Sequence, residues 1–544
     1  MLKHAELTLR RIESFLANTL RPGLWPVEAP LEAAVYRPEG APRDYRNTAI
    51  RPAEAAGFAY QPVQAGYAWG PIWSDAWYRF VGTVPAEWKG KKIVARLNTG
   101  AESIVWDGDN PLQGIDEHHG EILLFEKARG GESVTLTVQA TGMNPNVSVH
   151  GKPKEPSPTP FTFGYANLAV YDEERIGLYF DVSVALGVLK EQPADSPRYG
   201  QLLYALNEVV NLYDADDPGS IPACRQRLAE TYAKPACPSA HKISAVGHAH
   251  IDTAWLWPLE RTQYKCLHTF ATATRFMDSY PEYVFVCSQA AQYAWVKQLA
   301  PKLYERIREK IQAGQWEVVG SMWVEADCNL SSGESLVRQI LHGKNFFKDE
   351  FGIETKDLWL PDVFGYAAAL PQILKKARID YFLTQKISWN QINKFPHHTF
   401  WWQGIDGTRI FTHFPPADTY NAAVTPKELA YNVRNFRDHG RSDRSLYVYG
   451  YGDGGGGPTI EMLENARRLK SVEGMPEVTQ EKALEFFRKA EAEARDLPLW
   501  VGELYLELHR GTYTTQARNK KGNRKSELLL RDAEFLSAVD PHGL

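Results

Sequence analysis

From residue 243 to residue 449, short apolar runs alternate with amphipathic stretches that have the spacing of helices. One such stretch predicts a helix over 301–313 that ends at Gly314, and another begins with the capping box Ser331-x-x-Glu334 and stops near Gly352. Repeated strand and helix alternation predicts an α/β domain with a mainly parallel sheet and helices outside it, closed in the manner of a (β/α) barrel. The predicted strands lie at 243–246, 284–286, 317–320, 358–360, 381–383, 410–412 and 446–449.

The rest of the chain differs from this region in composition and in its hydrophobic pattern. A chain of 544 residues exceeds what one hydrophobic core usually organises, so we expect several domains. Proline, glycine and aromatic residues are frequent before residue 190, where short strands are expected at 77–84, 92–97 and 133–139. The predicted order is an N-terminal helix (1–24), a β-rich sandwich-like module (25–190), a helical connector and linker (191–238), the barrel-like domain (239–515) and the start of a helical bundle (516–544).

Charge and cysteine content exclude several classes of protein. The net charge is -5, and the basic stretch at 518–525 is better explained as the exposed start of a bundle helix, so nucleic acid is not expected as a partner. No run of 18 apolar residues predicts a membrane span. Charged residues interrupt any signal-peptide core near the N-terminus, and five cysteines without a C-x-x-C pair suit a reducing compartment. We therefore expect a cytoplasmic protein.

Polar residues follow the predicted strands repeatedly. In a parallel α/β fold the carboxyl ends of the strands meet on one face, so side chains placed there can form one shared site. The residues concerned are His248, His250 and Asp252 after the first strand, then Asp327, Asp362, His413 and Asp453 after later ones.

The sharpest local pattern is His248-x-His250-x-Asp252. Extended residues two apart point to the same side, so His250 and Asp252 can both face an ion beyond the strand end. An imidazole and a carboxylate suit zinc, cobalt or manganese. A lone His-x-Asp is more often structural, but this longer pattern directly after a buried strand favours a metal site.

Two further segments offer groups for chemistry. Asp327 follows an apolar run; beside a metal it would be ionised and available as a nucleophile, whereas alone it could simply cap the next helix. Glu325, two residues earlier, is the rival for the same role. His509 ends a segment, 503–509, whose alternation predicts a strand with one polar face. Its significance depends on the other ligands.

Together these motifs resemble glycoside hydrolase family 38, the retaining α-mannosidases, and particularly the cytosolic and vacuolar branch. The resemblance runs from about Leu9 to the end of the chain. It rests on His250-Ile-Asp252, Trp323-Val-Glu-Ala-Asp327, Leu360-Pro-Asp362-Val-Phe-Gly365, Asp453 with its four glycines, and Glu507-Leu-His509-Arg-Gly-Thr-Tyr-Thr-Thr-Gln516.

The resemblance implies a full set of roles. One divalent ion, Zn²⁺ or alternatively Co²⁺, would be held by the ligands His250, Asp252, Asp327 and His509. Asp327 would also be the nucleophile and Asp453 the acid/base, although glycines follow Asp453 where other branches carry a second aspartate. The sugar pocket would be lined by Trp255, Asp362 and His248.

The implied substrate is terminal α-linked mannose of an oligosaccharide. The axial 2-hydroxyl of mannose makes O2 and O3 a cis-diol that can approach one ion, and two carboxyl groups can divide the attack and the proton transfer. The resemblance also implies a homo-oligomer. Family members are usually longer, with a helical bundle and β domains after the barrel, so we expect weak or absent activity from these 544 residues.

Two other functions stay open at this stage. His248-x-His250 on a first barrel strand also suits a metal-dependent amidohydrolase or deacetylase, which would activate a water and need no carboxylate nucleophile. A non-catalytic carbohydrate-binding protein, built on the aromatic-rich β module, is the second alternative.

Overall fold

The computed structural model describes residues 4–38, 52–143 and 159–540. Parts of the predicted helix (1–3), of the β module (39–51 and 144–158) and of the predicted bundle (541–544) lie outside the described residues. Within the described part of the chain, no helix is long and apolar enough to cross a membrane.

The N-terminal region consists of one helix and a set of short strands. Helix α1 covers Ala5–Phe15 and continues into a π-helical turn at Leu16–Leu20. The strands are β1 (Glu28–Pro30), β2 (Glu32–Tyr36), β3 (Gln61–Val63), β4 (Ala68–Trp69), β5 (Asp75–Thr83), β6 (Ile93–Asn98), β7 (Glu102–Asp107), β8 (Asn110–Ile115), β9 (Glu121–Phe125), β10 (Ser133–Thr141), β11 (Phe161–Thr162) and β12 (Tyr165–Val170).

These strands form the predicted sandwich, called here the sandwich module. One antiparallel sheet has the order β1-β12-β6-β9 and the other β3-β2-β5-β10-β7-β8. Alternate residues of β10, such as Val134, Leu136 and Val138, are buried in the core between the sheets, where they meet Phe80 and Leu97. This alternation is what an antiparallel sheet with one covered face requires.

Three helices follow the module: α2 (Glu173–Lys190), α3 (Pro197–Leu212) and α4 (Ser220–Tyr232). The strands end at Val170, so the predicted module boundary at 190 was too late by the length of α2. Asp172 caps α2, because its Oδ1 accepts hydrogen bonds from the backbone N–H of Glu174 and Arg175 at 3.1 Å each. Apolar residues occur on most faces of this buried helix, which leaves no clear helical period in the sequence.

The second half of the chain alternates strands and helices as predicted. Its strands are β13 (Lys242–His248), β14 (Phe285–Cys287), β15 (Trp316–Val318), β16 (Asp357–Trp359), β17 (Tyr381–Leu383), β18 (Thr399–Gln403), β19 (Arg409–His413), β20 (Arg444–Tyr449), β21 (Glu477–Gln480) and β22 (Leu499–Val501). Its helices are α5 (Leu259–Ser279), α6 (Ala290–Leu299), α7 (Pro301–Gln312), α8 (Gly333–Phe351), α9 (Leu370–Lys376), α10 (Pro426–Asn435), α11 (Ile460–Arg468), α12 (Ala483–Glu493) and α13 (Ala517–Val539).

Two sheets build the barrel-like domain. One has the order β15-β14-β13-β20, with β21 also beside β13, and the other has the order β16-β17-β19-β18-β22. All pairings are parallel except β18 with β19. Both sheets contribute to one core, whose members include Val246, Val286, Trp359, Leu383, Phe411 and Leu446 from β13, β14, β16, β17, β19 and β20, and Val319 directly after β15. The shared interior is that of a barrel.

Side chains join the two sheets where no backbone ladder does. The N–H of Gly320 donates to Asp357 Oδ2 at 2.9 Å, and the N–H of Leu446 donates to His413 Nε2 at 3.2 Å. His413, one of the polar residues noted after the strands, is fully buried in this wall. It therefore closes the barrel and does not reach the site at the strand ends.

Two local predictions were wrong. The helix α8 is capped by Ser332, whose Oγ accepts from the N–H of Ser335 at 3.1 Å, one residue later than the predicted cap. The segment 503–509 forms no strand; after β22 it makes a single bridge at Leu504 and then turns, with φ of +55° at His509. Leu504 and Leu506 are buried as the alternation predicted, but the segment lacks a continuous partner strand.

Candidate functional site

His250 lies at the centre of a cluster beyond the carboxyl end of β13. It is buried, and its Nε2 lies 3.5 Å from Asp252 Oδ1 and 3.7 Å from Asp362 Oδ2. On the other side of the ring, Nδ1 lies 3.3 Å from Glu325 Oε2. Glu325 also accepts a hydrogen bond from Ser288 Oγ at 2.9 Å. Three strand-end loops therefore bring carboxylates to one imidazole.

Asp453 reaches the same cluster on the loop that follows β20. The hydroxyl of Tyr420 donates to Asp453 Oδ1 at 2.8 Å, and the Tyr420 ring lies 4.9 Å from the His250 ring, centroid to centroid. The N–H of Gly454 donates to the carbonyl of His250 at 3.2 Å. A Cβ at Gly452 would lie 3.1 Å from His250 Cβ, so a glycine here lets the loop approach the cluster closely.

Burial and neighbouring charges shift the pKa values of His250 and Asp453. Burial alone would lower the pKa of His250, but the carboxylates of Glu325 and Asp252 outweigh this effect and hold that pKa well above its usual range. Burial raises the pKa of Asp453, and the carboxylates of Asp252 and Asp362 act in the same direction, while His250 opposes them. The hydrogen bond from Tyr420 also lowers this pKa, but the balance is upward, which is the direction that a general acid needs.

The donor set of the cluster fits a divalent metal ion. Ligand atoms of His250, Asp362 and Asp453 all lie within 4.8 Å of one another, and no other such group of three occurs among the residues described. Both ring nitrogens of His250 and Oδ2 of Asp252 are buried without a hydrogen-bond partner. Buried polar atoms without partners are costly, and an ion bound here would satisfy them. Of the four predicted ligands, His250 alone belongs to this tightest group.

Lys386 is a member of the site that the sequence did not reveal. Its buried ammonium group pairs with Asp362 Oδ1 and lies 4.0 Å from the centroid of the Trp389 ring. The ring of His509 packs against Phe364 at 4.6 Å and against Trp389 at 5.8 Å, centroid to centroid. His509 therefore borders the segment that holds Asp362.

Asp327 is exposed at the edge of this region. Its Oδ1 accepts hydrogen bonds from the N–H groups of Asn329 and Leu330 at 2.8 and 2.7 Å, so it caps the turn that leads into α8. The amide of Asn329 in turn donates to the Tyr513 hydroxyl at 2.7 Å and to the Phe364 carbonyl at 3.3 Å. The Asp327 turn is thereby tied to the loops that carry Asp362 and His509, while Glu325 makes the direct approach to His250.

The two remaining predicted residues, His248 and Trp255, differ in their burial. His248 is fully buried, and its Nε2 accepts a hydrogen bond from Trp359 Nε1 at 3.3 Å. Burial lowers the pKa of His248 to about 3, and the charge of His250 adds to this effect, so the ring is neutral. Trp255 is 48% exposed and packs edge-on against Trp257 at 5.6 Å. Trp255 is thus open to a ligand, whereas His248 supports the cluster from behind.

Comparison with known proteins agrees with this arrangement of domains. Residues 240–503 match the glycosyl hydrolases family 38 N-terminal domain, residues 30–169 the α-mannosidase jelly roll domain, and residues 507–543 the α-mannosidase middle domain. The first match covers most of the barrel-like domain, and the third contains α13. The second corresponds to the sandwich module and ends one residue before β12 does.

Three relatives show similarity along most of the chain. Alpha-mannosidase 2C1 of Homo sapiens is 40% identical over 99% of this chain and 52% of its own length. Alpha-mannosidase G of Dictyostelium discoideum is 39% identical, over 99% of this chain and 50% of its own length. Alpha-mannosidase of Saccharomyces cerevisiae is 35% identical, over 88% of this chain and 47% of its own length. The chain therefore spans about half the length of these relatives, and it belongs to glycosyl hydrolase family 38.

Proposed function

We propose that the protein is a retaining α-mannosidase that removes terminal α-linked mannose from oligosaccharides. The observation that carries the proposal is the convergence of Asp252, Asp362 and Asp453 on the buried imidazole of His250 at the strand ends of a family 38 domain. Glycoside hydrolysis requires one carboxyl group that donates a proton and a second that attacks or activates water, and the raised pKa of Asp453 supports the first of these roles.

The metal we propose is zinc, held by His250, Asp252, Asp327 and His509. Support comes from the unpartnered buried atoms of His250 and Asp252 and from the position of the Asp327 turn beside the loop of His509. A bound divalent ion would supply a positive charge that binds sugar hydroxyls and keeps a neighbouring carboxyl group ionised.

The proposed acid/base is Asp453. Support comes from its raised pKa, which is the direction that a proton donor requires, and from the Tyr420 hydroxyl, which donates a hydrogen bond to Oδ1. The proton would pass to the glycosidic oxygen as the bond to the leaving sugar breaks, and the resulting carboxylate would later take a proton from water. Asp362, which pairs with Lys386, would orient the sugar, and the exposed ring of Trp255 would offer a stacking face.

The proposed nucleophile is Asp327, with Glu325 as its rival. Asp327 belongs to the family motif and lies exposed, whereas Glu325 lies buried against His250. A carboxylate nucleophile attacks the anomeric carbon and forms a glycosyl ester that water then hydrolyses, so the configuration is retained. Asp327→Asn should abolish turnover and Glu325→Gln should only weaken it.

The experiment is hydrolysis of an aryl α-mannoside, with the configuration of the released mannose followed by NMR. The expected result is α-mannose as the first product, with Asp453→Asn and Asp327→Asn inactive. The corresponding β-mannoside and an acetylated sugar serve as control substrates. Release of acetate without release of the phenol would contradict the proposal, as would β-mannose as the first product.

A cytoplasmic location is part of the proposal. None of the five cysteines forms a disulfide, and Cys224, Cys266, Cys287 and Cys328 are buried as thiols. Thiols in such number suit a reducing compartment. The homo-oligomer stays a prediction, which the mass measured by light scattering would test.

A further inference from the structure

The loop that carries Asp453 packs against the sandwich module. This glycine loop comprises residues 451–458 and is closed at its base by two hydrogen bonds between the backbones of Tyr451 and Gly457, at 3.0 and 2.8 Å. The turn between β8 and β9, residues 116–120 and called here the sandwich loop, packs against it. The two hydrogen bonds that close the glycine loop lie within the loop itself, so the contact with the sandwich module is additional to them.

Two histidines of the sandwich loop contact the two ends of the glycine loop. The ring of His118 stacks on the ring of Tyr451, with centroids 3.8 Å apart and planes inclined by 20°. The Nε2 of His119 donates to the carbonyl of Pro458 at 3.0 Å. Asp453 lies between these two anchor points, so its backbone is held from outside its own domain.

The charge state of His119 follows from its partners. Its Nδ1 lies 2.9 Å from the carboxylate of Asp116, and its Nε2 faces a carbonyl oxygen. Both partners accept hydrogen bonds, so both ring nitrogens must carry protons. Asp116 Oδ1 also accepts from the N–H groups of His118 and His119, which fixes the shape of the loop. His268 of α5 faces the other carboxylate oxygen at 3.4 Å.

Two further contacts connect the sandwich module to residues in the middle of the glycine loop. Lys265 of α5 pairs with Glu102 of β7 at 2.6 Å and donates to the carbonyl of Gly454 at 3.4 Å, which links the module to the residue after Asp453. A Cβ at Gly456 would lie 2.8 Å from Asp116 Oδ2 and 2.9 Å from His119 Cε1. The two loops are therefore in close packing contact.

We propose that the sandwich loop is a positioning element for Asp453, with His118 and His119 holding the two ends of the glycine loop. The inference rests on the proposed function, since it assigns the module a part in placing the catalytic acid. Both histidines would act through the loop that they contact, His118 at Tyr451 and His119 at Pro458.

The first test is amide hydrogen exchange of the full chain, which needs no activity. His119→Ala and His118→Ala should each raise exchange in the peptide that covers 451–458 by at least about threefold, because local opening becomes easier. The matched control is His342→Ala, which removes an exposed histidine on α8. His118 is partly exposed, so its variant keeps the test intact even if His119→Ala fails to fold. Unchanged exchange in this peptide would overturn the proposal.

The second test uses leaving groups that differ in their need for protonation. For a phenyl α-mannoside, which needs the acid, His119→Ala should lower kcat/KM by at least about tenfold, within the range that general acid catalysis contributes. For a 2,4-dinitrophenyl α-mannoside, which leaves without a proton, the loss should stay within about twofold. Equal losses with both substrates would show a general structural role and overturn the proposal. Weak or absent activity is expected of these 544 residues; if the unmodified chain cleaves neither mannoside, the exchange measurement alone decides whether the sandwich loop holds residues 451–458.

Discussion

Replacing Asp357 with asparagine tests how the hydrogen bond between Gly320 and Asp357, which joins the two sheets of the barrel, affects stability at different pH values. This carboxyl group is 5% exposed and accepts a hydrogen bond from the N–H of Gly320 at 2.9 Å. Burial raises the pKa of Asp357 from 3.8 to about 7. Burial also raises the pKa of Glu317 to about 7, with the charge of Asp357 adding to this effect, so the two groups titrate together.

The sign of the pH dependence follows from this raised pKa. Below about pH 4 the carboxyl group is protonated in both the folded and the unfolded chain. Between about pH 4 and pH 7 the unfolded chain releases the proton while the folded chain keeps it, so the free energy of unfolding falls as the pH rises. A shift of about three units at about 1.36 kcal/mol each amounts to about 4 kcal/mol, fully lost above pH 7.

In Asp357→Asn this pH-dependent loss is absent. The amide oxygen can still accept from Gly320, and the cost of burying the amide N–H groups is the same at every pH. Relative to the unmodified protein, the variant should therefore gain up to about 4 kcal/mol in free energy of unfolding between pH 4 and pH 8.

The assay is urea unfolding at both pH values, monitored by tryptophan fluorescence, because several tryptophans such as Trp359 are buried in the barrel. Asp349→Asn on the exposed face of α8 is the matched control and should show no such trend. A difference between variant and unmodified protein that stays constant from pH 4 to pH 8 would refute the reasoning.

Three further perturbations test other parts of the structure. Ser332→Ala should lower the free energy of unfolding by about 1 kcal/mol through loss of the α8 cap, and a larger cost for Ser331→Ala would contradict the observed cap. Gly456→Ala should cost about 2 kcal/mol more than Gly407→Ala, because both have a positive φ but only the former would collide with neighbouring atoms; equal costs would argue against the contact between the domains. A chelator should lower the Tm of the unmodified protein and leave that of His250→Ala unchanged, since a ligand of the folded state stabilises it. An equal shift in both would place the metal elsewhere.

The sequence by itself predicted the barrel-like domain and the polar residues that follow its strands. The predicted strands correspond to β13–β17, β19 and β20 because each buried parallel strand reads as a short apolar run with polar residues after it. His250 Nε2 and Asp252 Oδ1 lie 3.5 Å apart, because two residues on one side of an extended segment need no distant partner to come close. The same local reasoning failed at 503–509, where the alternation is present and the partner strand is not.

Only the tertiary structure decided which distant groups meet there. The pairing of Lys386 with Asp362 and the approach of Glu325 to His250 join separate strand-end loops, and such contacts leave no periodic signal in the chain. The same holds for His119, which lies 339 residues before its partner Pro458 and belongs to another domain. Hydrophobic periodicity records which face of an element is buried, whereas the partners of a polar side chain depend on how the elements pack.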